Sequence, residues 1–88
     1  MYVPNAFTPN ADAFNGGFKA YGFGIAAFEM TIYDRWGLVL FRSNNIDQAW
    51  DGNYNGSPSQ ADVYVYKINA SDVFDEKYNL IGKVTLVR

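Results

Sequence analysis

The 88-residue chain has no cysteine and no histidine. Without Cys, the disulfides that often staple small extracellular domains are unavailable, although this alone does not fix the compartment. With neither residue there is no ordinary zinc site, and no Ser-His-Asp or Cys-His system. No apolar run approaches the ~20 residues of a membrane helix. No signal-peptide pattern stands at the start, and no stretch of ten residues has helical periodicity. Positive charge is sparse: Lys19, Arg35, Arg42, Lys67, Lys77, Lys83 and Arg88 are scattered, and against nine acidic residues they leave a net charge of −2. No basic stripe forms, so a nucleic-acid partner is not expected.

Large rings are what the chain has in quantity. Apolar residues make up 49% and aromatics 18%, with seven Tyr, seven Phe and two Trp. A domain this small buries only about 60% of the surface of its unfolded chain. Aromatic rings supply much buried area per residue, which suits a thin two-layer core. The length fits a single domain over 1–88. Met1 directly precedes the first strand signal, and the chain reads as a piece of a longer secreted protein.

Strand and turn signals alternate throughout. Tyr2–Phe7 reads as a strand that Pro4 confines to an edge or a strand start. Thr8–Asp12 reads as a turn, and Phe18–Tyr21 as a short strand broken by Gly22-Phe23-Gly24. Over Ala27–Tyr33, Phe28, Met30 and Ile32 alternate with Glu29, Thr31 and Tyr33, the period-two pattern of a half-buried strand. Asp34-Arg35-Trp36-Gly37 is a tight connection, with Gly37 at positive φ, into a partner strand over Leu38–Arg42. Trp50-Asp51-Gly52 and Asn55-Gly56-Ser57-Pro58 are closely spaced turn signals. Ala61–Ser71 has the pattern of a central strand, Asp72–Lys77 that of a hairpin loop. Tyr78–Val87 closes the chain, with Leu80, Gly82, Val84 and Leu86 on one side. The expected fold is all-β: an immunoglobulin-like antiparallel β-sandwich of about seven strands, without a disulfide.

Five phrases occur in order: Val3-Pro4-Asn5-Ala6-Phe7-Thr8-Pro9-Asn10, Tyr33-Asp34-Arg35-Trp36-Gly37, Trp50-Asp51-Gly52, Asp62-Val63-Tyr64-Val65-Tyr66 and Gly82-Lys83-Val84-Thr85-Leu86-Val87-Arg88. Together they resemble the gliding-motility-associated C-terminal domain, the type B C-terminal sorting domain of the type IX secretion system of Bacteroidetes. After Thr-Pro-Asn that family usually reads Gly-Asp-Gly, a variable residue, then Asn-Asp. Here Ala11-Asp12-Ala13-Phe14-Asn15-Gly16 stands instead, a poor version of any loop that binds a cation or needs positive φ.

The resemblance implies a non-catalytic sorting signal with its cargo on the N-terminal side. It would fold in the periplasm, be recognised by the outer-membrane translocon and an associated outer-membrane protein, and reach the cell surface or the medium. Neither a cofactor nor a small-molecule substrate is expected, and the domain is expected to be monomeric. The alternative is a carbohydrate-binding or adhesion β-sandwich.

Single residues carry competing readings. Trp36 and Trp50 could form a sugar platform, but rings beside turns more often pack on a small core; Trp50 is the surer core residue and Trp36 the better contact candidate. Tyr64 and Tyr66 share a strand face, and Tyr64 is expected in the core with its hydroxyl on a backbone partner at a corner. Asn10, Asp12 and Asn15 could offer oxygens to Ca²⁺, but one carboxylate is little charge, and Asx-turn chemistry explains them equally well. Asp51 reads as a turn residue. Asp72, Asp75 and Glu76 read as a solvated loop, not the two carboxyls flanking a cleft that a glycosidase needs. For partner recognition the candidates are Pro4, Asn5, Phe7, Thr8, Pro9 and Asn10 of the stiffened opening segment, Arg35 and Trp36 of the turn, and Lys83 and Arg88 of a closing strand that a partner could extend.

Overall fold

A computed structural model describes residues 1–9 and 17–87. Among the described residues there is no helix. Seven strands form: β1 (Ala6–Phe7), β2 (Ile25–Tyr33), β3 (Val39–Ser43), β4 (Asn53–Tyr54), β5 (Ser57–Pro58), β6 (Asp62–Asp72) and β7 (Lys77–Leu86). Five of them make one sheet in the order β1-β7-β6-β2-β3, and β4 and β5 form a separate ribbon. The expected central strand, β6, is the middle of the five. The sheet is mixed: β1 runs parallel to β7, while the other pairs are antiparallel. The expectation of an all-β, disulfide-free fold of about seven strands holds. Most of the ladder lies in this one sheet, an arrangement compatible with a sandwich.

Paired residues point to the same side of a sheet, so the register sorts the two faces. Phe28 lies opposite Ala70, Met30 opposite Ile68 and Ile32 opposite Tyr66; across the next seam Ile68 lies opposite Leu80, Tyr66 opposite Gly82 and Tyr64 opposite Val84. This is the inner face, and Met30, Ile32, Ile68 and Val84 on it are fully buried. The opposite face carries Glu29, Lys67, Lys83 and Ile81, all exposed. Thr31 is the exception, 4% exposed on that outer face, where Arg42 and Lys67 flank it on the neighbouring strands. Period two correctly gave its direction but could not foresee this shielding.

Segments without long ladders cover the inner face. Phe18 and Trp50 exchange backbone hydrogen bonds of 2.8 and 2.9 Å, and Tyr2 pairs similarly with Tyr21. The expected Phe18–Tyr21 strand amounts to these isolated bridges, and the expected first strand to the Tyr2 bridge followed by β1. The Trp50 ring stands edge-on to Tyr64 at 5.2 Å between centroids and tilted against Phe7 at 5.5 Å; Phe18 meets Phe7 and Tyr66. A ring cluster therefore takes the place that a disulfide holds in many small sandwiches.

Candidate functional site

The β2–β3 hairpin presents two exposed sequence candidates, Arg35 and Trp36. The Gly37 N–H donates to the Asp34 carbonyl and the Asp34 N–H to the Leu38 carbonyl, with Gly37 at φ 87°. The Asp34 carboxylate accepts the N–H groups of Trp36 and Leu38, each at 2.9 Å. This fixed turn holds Trp36 outward, 78% exposed. The Arg35 guanidinium donates to both carboxylate oxygens of Asp62, and its carbon lies 5.4 Å from the Trp36 ring centroid, in cation–π range. Hydrogen bonding by Arg35, reinforced by the Val63 N–H, holds the Asp62 pKa below its ordinary carboxylate value.

Beside this turn is an open cleft of about 360 Å³, lined by Leu38, Leu40, Tyr54 and Tyr64 along with the Arg35–Asp62 pair and Trp36. Several of its polar groups are engaged within the chain. Gln60 donates to Asp62 at 3.1 Å, and the Tyr64 hydroxyl donates to the Gln60 carbonyl at 2.7 Å. Tyr64 is thus the core ring with a backbone-bound hydroxyl that the sequence suggested. Groups already paired within the chain have less to offer a hydroxyl-rich sugar.

The two chain-end candidates meet at this same end of the sheet. Asn5 and Phe7 carbonyls accept the N–H groups of Thr85 and Val87, each at 2.9 Å. The edge of the closing strand at 85–87 is therefore occupied by the opening segment and not open to a partner's strand, a correction to the expectation for that strand. Phe7 is a second correction. At 5% exposed and packed on Phe18 and Trp50, its ring is in the core and off the surface. Pro9 packs over Gly52, a buried glycine at φ 82°, where a Cβ would stand 3.0 Å from the Pro9 ring and 3.3 Å from Leu86. Asn5 and Lys83 are exposed, and Pro4, Thr8 and Pro9 are partly so. Asn10, Asp12, Asn15 and Arg88 lie outside the described residues.

Asp51 is a turn residue as expected: its carboxylate accepts the Asn53 N–H at 2.9 Å. Asp72 closes the β6–β7 hairpin by accepting the N–H groups of Phe74 and Glu76 and the Tyr78 hydroxyl. Partial desolvation works against its charge, but those donors outweigh it and its pKa is lowered; the same contact raises that of Tyr78. Among the described residues no three acidic side chains gather as a metal site would require.

The family model of the CHU_C Type IX secretion signal domain matches residues 1–85. No curated protein and no solved structure matches the chain.

Proposed function

The chain belongs to the type IX secretion signal domain family, and from that premise we propose that it is a non-catalytic C-terminal sorting signal whose cargo lies on its N-terminal side. The family match over nearly the whole chain carries this reading. A secretion signal domain of this kind is recognised by the type IX system and marks its protein for the cell surface or the medium. The finer reading is that the folded domain travels through the periplasm as a monomer and docks on the outer-membrane translocon and an associated outer-membrane protein.

The docking face we favour is the Trp36 end. Arg35 and Trp36, the cleft behind them, and the exposed parts of Pro4, Asn5, Thr8 and Pro9 offer a rigid aromatic anchor within a polar surround, the composition of an interface hot spot. Chain direction supports this choice. β1 and β7 both run toward the Trp36 end, so Met1 starts at the opposite end, and a cargo joined there would leave the face clear. The carbohydrate-binding alternative has the exposed Trp36 in its favour, but Arg35, Asp62 and Tyr64 of the cleft already have partners within the chain.

The test is a fluorescent passenger carrying a signal peptide and fused ahead of the domain, expressed in a type IX-competent host. Passenger should reach the surface or the medium, and Trp36→Ala should lower that export while leaving the melting curve unchanged. Passenger held in the periplasm with the wild-type domain, in the presence of the partner outer-membrane protein, overturns the reading. Saturable glycan-array binding lost in Trp36→Ala would favour the alternative.

A further inference from the structure

Four of the chain's seven cationic residues, Arg42, Lys67, Lys77 and Lys83, stand exposed on the outer face of the sheet. They come from three strands, so their spacing in the sequence conceals the grouping that the register creates. Thr31 pairs with both Arg42 and Lys67, which puts the three in one row across β3, β2 and β6. Lys67 pairs with Ile81, so Lys83 is its diagonal neighbour on β7, at roughly 7–8 Å. Lys77 pairs with Ser71 further along the same face. Among the described residues Glu29 is the one carboxylate on that face, and none of the four cations makes an ion pair. Opposite charges on neighbouring strands stabilise a solvated sheet face. Here one sign gathers instead, on a chain whose net charge is −2.

We propose that this outer face docks an acidic patch of a partner protein, as a second contact beside the Trp36 end. Cations without partners in their own chain steer and orient a surface of opposite charge. Two observations favour a protein over an anionic membrane or an acidic polysaccharide. Ile81 is 75% exposed between Lys67 and Lys83, and Val63 is 42% exposed on the same face. Burying them rewards contact with apolar side chains, which neither sugars nor headgroup phosphates supply. Charge also limits how far the partner's acidic area extends. Asp75 and Glu76 are exposed on the hairpin next to Lys77. A broad anionic plane would repel them, whereas a local acidic patch would leave them in solvent. The inference rests on the sorting reading for one point, that the partner is met during export.

The fluorescent passenger fusion tests the proposal. Lys67→Glu/Lys83→Glu should lower exported passenger at least about fivefold, while the purified domain keeps its wild-type melting curve. Lys67→Arg/Lys83→Arg retains the charge and should export like wild type. Wild-type export with an unaffected Glu variant, or an equal loss in the Arg variant, overturns this inference and leaves the sorting reading standing. Wild-type passenger held in the periplasm overturns both. Flotation with phosphatidylglycerol vesicles and retention on alginate, at physiological salt, decide the class of partner. The wild-type domain should bind neither. Binding to either one that Lys67→Glu/Lys83→Glu abolishes would give the face to an anionic lipid or an acidic polysaccharide and overturn the choice of a protein.

Discussion

Gly82 lies beneath a ring, and adding one methyl group there should be costly. Its cross-strand partner is Tyr66, and a Cβ at Gly82 would stand 2.5 Å from Tyr66 Cζ and 2.8 Å from Cε2. In an open strand position Gly→Ala would stabilise by about 0.5–1 kcal/mol. Here the Tyr66 ring would have to leave its place over the glycine. Such overpacking costs about 1–3 kcal/mol. The displaced ring would also weaken its contact with Phe18, now at 5.6 Å between centroids, and such pairs contribute about 0.5–1.5 kcal/mol beyond burial. The net expectation for Gly82→Ala is a loss of about 1–3 kcal/mol, which in a chain this size lowers Tm by roughly 4–8 °C per kcal/mol. Urea melts followed by Trp fluorescence would measure it, with unchanged m-values confirming that the native fold is retained. In a Tyr66→Ala background the same substitution should become neutral or stabilising, giving a coupling energy of at least about 1 kcal/mol. A Gly82→Ala variant as stable as wild type, or a coupling near zero, would refute the packing account.

Ile32 is fully buried at the centre of the inner face, so Ile32→Ala should cost about 2–5 kcal/mol, whereas Lys77→Ala, at an exposed strand start, should cost under about 0.5 kcal/mol; equal shifts in urea midpoint would show the faces to be misassigned. Tyr64→Phe removes the 2.7 Å hydrogen bond to the Gln60 carbonyl and should cost about 0.5–1.5 kcal/mol, so an unchanged midpoint would mean that the corner contact contributes nothing. Asp62 and Asp72 have lowered pKa values in the fold, so the folded state binds fewer protons than the unfolded chain. Their contribution is complete above about pH 4, the unfolded carboxylate value, and is lost as pH falls through the folded values. Asp72→Asn should therefore flatten the acid limb of stability below about pH 4, and a wild-type slope in that variant would remove Asp72 as a cause.

Local sequence chemistry made much of this fold legible. Alternation in Phe28, Met30 and Ile32 gave the inner face of β2, and the same alternation placed Leu80, Gly82, Val84 and Leu86 together on β7. Asp34 through Gly37 announced its turn because short-range side-chain-to-backbone bonds and one positive φ form it. What pairs across the sheet was not legible. Nothing within Asn5–Phe7 says that it will lie parallel to Thr85–Val87, because that pairing joins residues almost the whole chain apart. The burial of Phe7 follows from the same long-range fact. A proline-stiffened segment reads as a surface from its own residues, and only the arrival of Phe18 and Trp50 makes its ring part of the core. The exposed Phe23 and Phe74 were also missed, since apolar residues in a sequence are expected to be inside.

The five phrases do not all serve the same purpose. Phe7 packs on Trp50, Trp50 on Tyr64, Pro9 on Gly52 and Gly52 beside Leu86, while Gly82 lies under Tyr66. Four of the phrases are therefore explained by packing at and near one end of the sheet, and any domain using this ring cluster would need them whatever recognises it. The Tyr33–Gly37 phrase is different. Asp34 and Gly37 make its turn and Arg35 ties it to Asp62, but Trp36 contributes a large ring that the core does not need and leaves it 78% exposed. Fold requirements explain every feature of that hairpin except its most conspicuous side chain. An exposed Trp held by a carboxylate-braced turn, beside a cleft that the Arg35–Asp62 pair lines, is the feature whose removal should separate recognition from stability.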